Sequence, residues 1–233
     1  MRIVSFGDIH MALPTIERLA PELRAANLAI LSGDLTNFGG RDDAAQVLAV
    51  TRQHARQVLA VSGNLDQLEV IDFLREEGVS LHGESRRFGE LGIFGCGGSN
   101  RTPFHTPTEL SDEEIGLLLE RGYAGVADAP HVLMVCHTPP AQTATDRIRS
   151  GQHVGSPTVR AFIEEHQPEV CITGHIHESA GIDRIGRTTV VNAGALRDGG
   201  YIAVEAGPNV LTAELKYLAC AGTRRQHPSR ASA

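Results

Sequence analysis

Five apolar stretches of this 233-residue chain each stop at a residue that no apolar core can hold. "RIVSF" (2–6) runs into "GDIH", which brings Asp8 and His10. "LAILSG" (28–33) runs into Asp34, and "QVLAVSG" (57–63) into Asn64, Leu65 and Asp66. "HVLMVC" (131–136) ends at His137, and "EVCIT" (169–173) at "GHIH", with His175 and His177. Short β-prone runs that are apolar throughout read as strands buried on both faces, which is the habit of parallel strands. In an open α/β sheet, ligands bind beyond the carboxyl ends of such strands. The five endings are therefore expected to meet along one edge, although about 170 residues of sequence separate the first from the last.

The segments between them read as helices. "PTIERLAPELRAA" (14–26) has Pro14 at its start, and a second helix runs from Asp42 to about Arg56. Asp66 is placed to cap a third, ending near Glu77. A βαβαβα order of this kind predicts a parallel sheet covered by helices. Residues 79–98 alternate and turn at glycines, so they read as short strands, and a loop follows over 99–110. "SDEE" is a capping box at Ser111 and Glu114. Ser156 and Pro157 open another helix, "SPTVRAFIEEHQP" (156–168). Three strand-like runs then reach residue 217. The chain reads as one domain over 1–220, and "AGTRRQHPSRASA" (221–233), with no apolar pattern, as a disordered tail.

Composition limits the function. A formal net charge of -7 argues against a partner held by a general basic surface, such as nucleic acid or an anionic membrane. No apolar run reaches the ~18 residues a membrane helix needs. The four cysteines have no CxxC spacing and read as reduced thiols. With no hydrophobic leader in "MRIVSFGDIH", the expected location is cytoplasmic. The apolar strands over 179–217 leave pairing between copies, and so a homo-oligomer, open.

Each polar ending has an ordinary reading alone, as a cap, a turn residue or a structural histidine. Their shared position after a strand is what carries the argument. Together they supply imidazoles, carboxylates and one amide, with no thiolate and almost no lysine or arginine beside them. Mixed nitrogen and oxygen donors suit divalent transition metals. The set is too large for one open zinc site with three protein ligands. It suits two metals about 3.5–4 Å apart sharing a carboxylate. A metallo-β-lactamase-type centre would need a clustered HxHxDH, which this chain lacks.

In order, "GDIH", "GD", "GNLD", a lone histidine and "GHIH" resemble the five blocks of the calcineurin-like metallophosphoesterases, over residues 1 to about 217. "GDLTNFGG", "GCGGSNRTPFHTP", "GQHVGS" and "GHIHES" are similar to the Icc-related branch of predicted phosphoesterases. The resemblance implies a four-layer α/β/β/α sandwich. It implies that Asp8, His10 and His177 hold one metal, that Asn64, His137 and His175 hold the other, and that Asp34 bridges both. The metals expected are manganese, iron, zinc or nickel, manganese first. The implied reaction is hydrolysis of a phosphodiester or small phosphate ester by a metal-bridging hydroxide. Inactive scaffolds on the same fold are the alternative. Many members carry a histidine where this chain has Leu65. His105 in "NRTPFHTP" and His153 in "GQHVGS" are candidates to contact phosphate or protonate the leaving group, with Arg101 and Arg147 as weaker phosphate contacts.

Overall fold

Alternate residues of the first strand face two different cores. In β1 (Arg2–Phe6), Val4 and Phe6 join one buried cluster, and Ile3 joins another. This is the two-residue period of a strand covered on both faces. The computed structural model describes residues 1–219, so the tail over 221–233 and Cys220 lie outside the described residues.

The chain continues through α1 (Leu13–Ala25), β2 (Leu28–Ser32), α2 (Arg41–Arg52), β3 (Val58–Val61) and α3 (Glu69–Glu76). The next elements are β4 (Ser85–Phe88), β5 (Leu91–Cys96), β6 (Ser99–Asn100), β7 (Glu109–Leu110), α4 (Asp112–Ala124) and β8 (His131–Cys136). Then come α5 (Pro157–His166), β9 (Val170–Thr173), β10 (Gly181–Ile185), β11 (Thr188–Asn192), β12 (Gly200–Gly207) and β13 (Val210–Tyr217). One sheet has the order β13-β12-β1-β2-β3 and a second the order β10-β11-β9-β8-β5-β4. β1, β2 and β3 are mutually parallel, as are β5, β8 and β9.

Three apolar clusters define four layers. The outer face of the first sheet packs Phe6, Ala29 and Leu31 against Ile16, Leu19, Val47 and Val70 of α1–α3. The two sheets meet face to face through Ile3, Ile30 and Val61 on one side and Ile93, Val135 and Ile172 on the other. The outer face of the second sheet packs Phe94, Met134 and Cys171 against Ile115, Leu119, Val159 and Phe162 of α4 and α5. This is the α/β/β/α sandwich. The buried Cys96, Cys136 and Cys171 are free thiols within it. No helix among the described residues is long and apolar enough to cross a membrane.

Two expectations need correction. The five strand ends do not share one sheet edge. β1, β2 and β3 belong to the first sheet and β8 and β9 to the second, and their carboxyl ends meet across the sandwich. An apolar run cannot report which of two stacked sheets it joins. Asp66 does not cap α3, which begins at Glu69 with Leu68 before it and no side-chain cap. Its carboxylate is instead fully buried, for reasons given below. The capping box at Ser111 and Glu114 forms as expected, and Ser156 accepts from the Val159 amide with Pro157 in the first turn.

Candidate metal centre

Each strand end turns at once into the space above the two sheets. Asp8, His10, Asp34 and His175 all have left-handed φ angles, at 47°, 47°, 48° and 67°. Non-glycine residues seldom adopt that conformation, and such strain collects at functional sites. Glycines make the close approach possible. A Cβ on Gly33 would sit 2.2 Å from His137 Nδ1, and one on Gly63 would sit 2.0 Å from Asp34 Oδ1. The glycine before a polar strand end thus makes room for the side chain of a neighbouring strand end.

One donor atom from each of Asp8, His10, Asp34 and His177 lies within 4.8 Å of the others. His10 Nε2 and His177 Nε2 face each other at 3.0 Å, and His177 Nε2 is 3.1 Å from Asp8 Oδ1. The second group lies alongside. His137 Nε2 is 3.3 Å from Asn64 Oδ1, and its ring centre is 5.5 Å from that of His175. Asp34 stands between the groups, its Oδ2 being 3.9 Å from His10 Nε2 and 3.5 Å from His137 Nε2. The structure therefore brings together all seven residues Asp8, His10, Asp34, Asn64, His137, His175 and His177.

The two histidines of "GHIH" part company. His175 is left-handed and His177 opens a short 3-10 turn, so the extended geometry that would aim both rings one way is absent. His177 turns to Asp8 and His10, and His175 to His137.

The surrounding contacts orient these rings. His137 Nδ1 lies 2.9 Å from the Ser32 carbonyl oxygen, and His10 Nδ1 lies 3.3 Å from that of Thr36. A proton on Nδ1 given to a carbonyl leaves Nε2 as a free donor to a metal. The His175 amide donates to both oxygens of Asp8, each at 3.1 Å, and the Leu65 amide to Asp34 Oδ1 at 2.8 Å.

Does a cation fit here? Asp8 and Asp34 are buried, and among the described residues their ion-pair partners are histidines, with no lysine or arginine. Lone pairs of nitrogen and oxygen converge on the same space. Protons partly fill the role of a cation. Burial opposes charge on His137, but Asp34 beside it carries its pKa up to about 9. Burial would raise Asp34, and His137 pulls it down to about 2 instead. Burial and the neighbouring His137 push His175 down to about 4, and burial also lowers His10. The Asp8 hydrogen bond raises His177. A donor set this crowded with acceptors fits divalent metal ions.

Several organising residues escaped the sequence reading. Asp66 accepts from the amides of Leu35 (3.1 Å), Thr36 (2.8 Å) and Gly63 (2.7 Å) and from the Thr36 hydroxyl (2.8 Å). It ties the loop after β2 to the loop after β3. Burial and Asp34 push its carboxyl up to about 6 against the pull of those hydrogen bonds, and above that pH the donors meet an anion. Asn192 ends β11 and donates to the carbonyls of Thr145 (3.3 Å) and Ile176 (3.0 Å), joining the loops that carry the last histidines. Its polar ending of an apolar strand, "VVNAG", was the available signal.

A cleft of about 680 Å³ opens beside the centre. Arg101 and His153 line it, together with Asp34, Asn64, His175 and His177. His153 Nδ1 is 2.5 Å from Asp146 Oδ1, and its Nε2 is 3.3 Å from an Arg147 guanidinium nitrogen. Asp146 is fully buried and accepts from the amides of Gln142, Thr143 and Gly155. Arg147 does not line the cleft, and neither does the exposed His105, at φ 52°.

The family model for calcineurin-like phosphoesterases matches residues 1–179. An uncharacterised protein of Methanocaldococcus jannaschii is 36% identical over 196 residues, covering 82% of this chain and 87% of that one. A structure from Thermus thermophilus aligns with a TM-score of 0.70 at 18% identity, over 93% of this chain and 98% of its own. A dimetal phosphatase from Danio rerio aligns with a TM-score of 0.65 at 11% identity, over 93% and 96% of the two chains. At such identities the two structures speak for the fold alone.

Proposed function

The chain belongs to the calcineurin-like phosphoesterases, and on that premise we propose that it hydrolyses a small phosphate ester, a diester in preference to a monoester. The observation that carries this reading is Asp34. Its carboxylate stands between two groups of nitrogen and oxygen donors, with no lysine or arginine among the described residues paired to it. Asp8, His10 and His177 would hold one metal ion, and Asn64, His137 and His175 the other, with Asp34 common to both. Manganese, iron, zinc and nickel all suit these donors, and manganese is the first to try. When bound, the two ions supply an activated water and neutralise charge on the phosphate oxygens.

The chain's own groups do the rest. Thr36 and Ser32 carbonyls hold His10 and His137 in the tautomer that frees Nε2. Arg101 offers a guanidinium to phosphate oxygens from the cleft wall. Asp146 holds His153 at Nδ1 and the Arg147 guanidinium lies at its Nε2, so His153 would serve as phosphate contact or as proton donor to the leaving oxygen only with Nε2 protonated and released from Arg147. The place of His153 on the cleft favours it over His105. Arg147 contacts this ring from outside the cleft. A single arginine on the cleft suits a singly charged diester better than a dianionic monoester. The formal charge of -7 disfavours nucleic acid as the substrate.

The test compares bis-p-nitrophenyl phosphate with p-nitrophenyl phosphate, using metal-stripped protein with and without added manganese. The reading expects manganese-dependent cleavage, faster for the diester and lost in His177→Ala. Cleavage indifferent to metal would overturn it.

A further inference from the structure

We infer that the cleft selects a phosphodiester whose retained alcohol is apolar, an alkyl or aryl group lying between the side chains of Phe38 and Phe104. The inference rests on the phosphoesterase reading above and goes on to the class of substrate. Phe38 is 59% exposed and Phe104 81% exposed, and both line the cleft at the candidate metal centre. Leu65, Ile148 and Val154 add apolar surface to the same cleft. Large apolar side chains left in water beside a functional centre mark a binding surface.

The turn and the loop that carry these rings are held in place by hydrogen bonds. Phe38 has a left-handed φ of 57°, a conformation costly for a bulky side chain. Its turn is closed by Thr36, whose hydroxyl accepts from the Gly39 amide at 3.0 Å, and its carbonyl accepts from Gln67 Nε2 at 3.2 Å. Thr36 is in turn fixed by Asp66. The Phe104 loop is gathered by Glu109 Oε1, which accepts from Thr102 Oγ1 (2.6 Å), the Thr106 amide (2.8 Å) and Thr106 Oγ1 (2.8 Å). Asn64 Nδ2 donates to Thr106 Oγ1 at 3.0 Å, so this loop is tied directly to a candidate metal ligand. Asn100 Nδ2 donates to the Val154 carbonyl at 3.2 Å and joins the opposite walls.

Charge agrees with this assignment. Among the described residues, Arg101 is the one lysine or arginine on the cleft, so the arm beyond the phosphate finds little to pair with further anionic groups. A phosphate anchored at the metal centre can lay its retained ester group along the apolar side chains of this cleft, whereas the neighbouring opening at His175 and His177 is lined by Arg149, Glu178, Arg197 and Asp198.

The experiment uses the full chain loaded with manganese and a series of p-nitrophenyl phosphodiesters with methyl, butyl, hexyl or phenyl as the retained group. The leaving group is constant, so differences report the arm. Each methylene that enters the cleft is expected to raise kcat/KM by about fourfold until the cleft is filled. The phenyl ester compared with hexyl tells whether the cleft prefers rings or chains. In Phe38→Ser and Phe104→Ser the hexyl-to-methyl ratio should fall, with a circular dichroism spectrum like the parent's. A flat series in the parent, with the methyl ester cleaved, would overturn the apolar assignment alone. An unchanged ratio in both variants would overturn the role of the two rings. Failure to cleave any ester would overturn the phosphoesterase reading itself.

Discussion

Asp66 offers a sharp test of how the centre is held together. Its two carboxylate oxygens receive four hydrogen bonds, three from backbone amides and one from the Thr36 hydroxyl. Asp66→Ala leaves those buried donors without acceptors. At about 1–3 kcal/mol for each orphaned amide, and with water recovering part of the loss, the cost is about 4 kcal/mol. That is a large share of the ~5–15 kcal/mol that stabilises a typical domain. Asp66→Asn discriminates. It has almost the same shape, but one oxygen becomes an NH₂ group. Whichever way the amide turns, NH₂ points at amide donors, either those of Leu35 and Gly63 or that of Thr36. Turned towards Thr36, the NH₂ opposes that amide while the Thr36 hydroxyl can accept from it, so one hydrogen bond is lost and like groups are opposed. Removing a charge that burial and Asp34 disfavour offsets part of this, and the net loss should be about 1–2 kcal/mol. The assay is urea unfolding of metal-free protein at pH 8, where the native carboxyl is ionised. An asparagine variant within about 0.5 kcal/mol of the parent would refute the donor-counting argument.

Other consequences can be checked alongside. Gly33→Ala places a Cβ 2.2 Å from His137 Nδ1 at a φ of +106°, so it should cost about 1–3 kcal/mol in thermal unfolding and weaken manganese binding together. Burial, with Arg75 and Arg121 nearby, pushes His82 down to about 4, and the ring accepts from the Gly97 amide. The unfolded chain takes up this proton first, near its ordinary value of about 6.5, so stability should fall as pH drops from there towards 4. The whole effect is on the order of 3 kcal/mol, and His82→Asn, which keeps an acceptor, should flatten the pH curve in that window. Leu65→His puts an imidazole on the cleft wall and should speed alkyl esters with poor leaving groups more than p-nitrophenyl esters, by up to ~100-fold in kcat/KM. Equal gains on both would count against a proton-donor role at this position.

Much of this architecture was legible from strand endings. Asp8, Asp34, Asn64, His137 and His175 could be picked out because each follows an apolar run that has to be buried, and the structure draws them together, Asp8 with Asp34, and Asn64, His137 and His175 beside Asp34. What a linear pattern does not contain is the partner across the sandwich. β2 and β9 look alike in sequence, yet one belongs to each sheet, because pairing depends on contacts far apart in the chain. Asp66 was misread for a similar reason. An Asp just before a helix is a common cap, and only the loop after β2, some 30 residues away, reveals its real donors. Asp146 gave no local sign either, since its role arises from the fold of 142–155 back onto its carboxylate. Backbone strain at His10 and Phe38 was likewise invisible in residue identity.

The most direct test of the central claim is a count of manganese bound per chain by metal-stripped protein, with hydrolysis of bis-p-nitrophenyl phosphate followed in the same titration. Two ions per chain are predicted, with activity rising as the second binds and both lost together in Asp34→Asn. Binding of no manganese by a folded chain, or full activity before any is bound, would contradict the account.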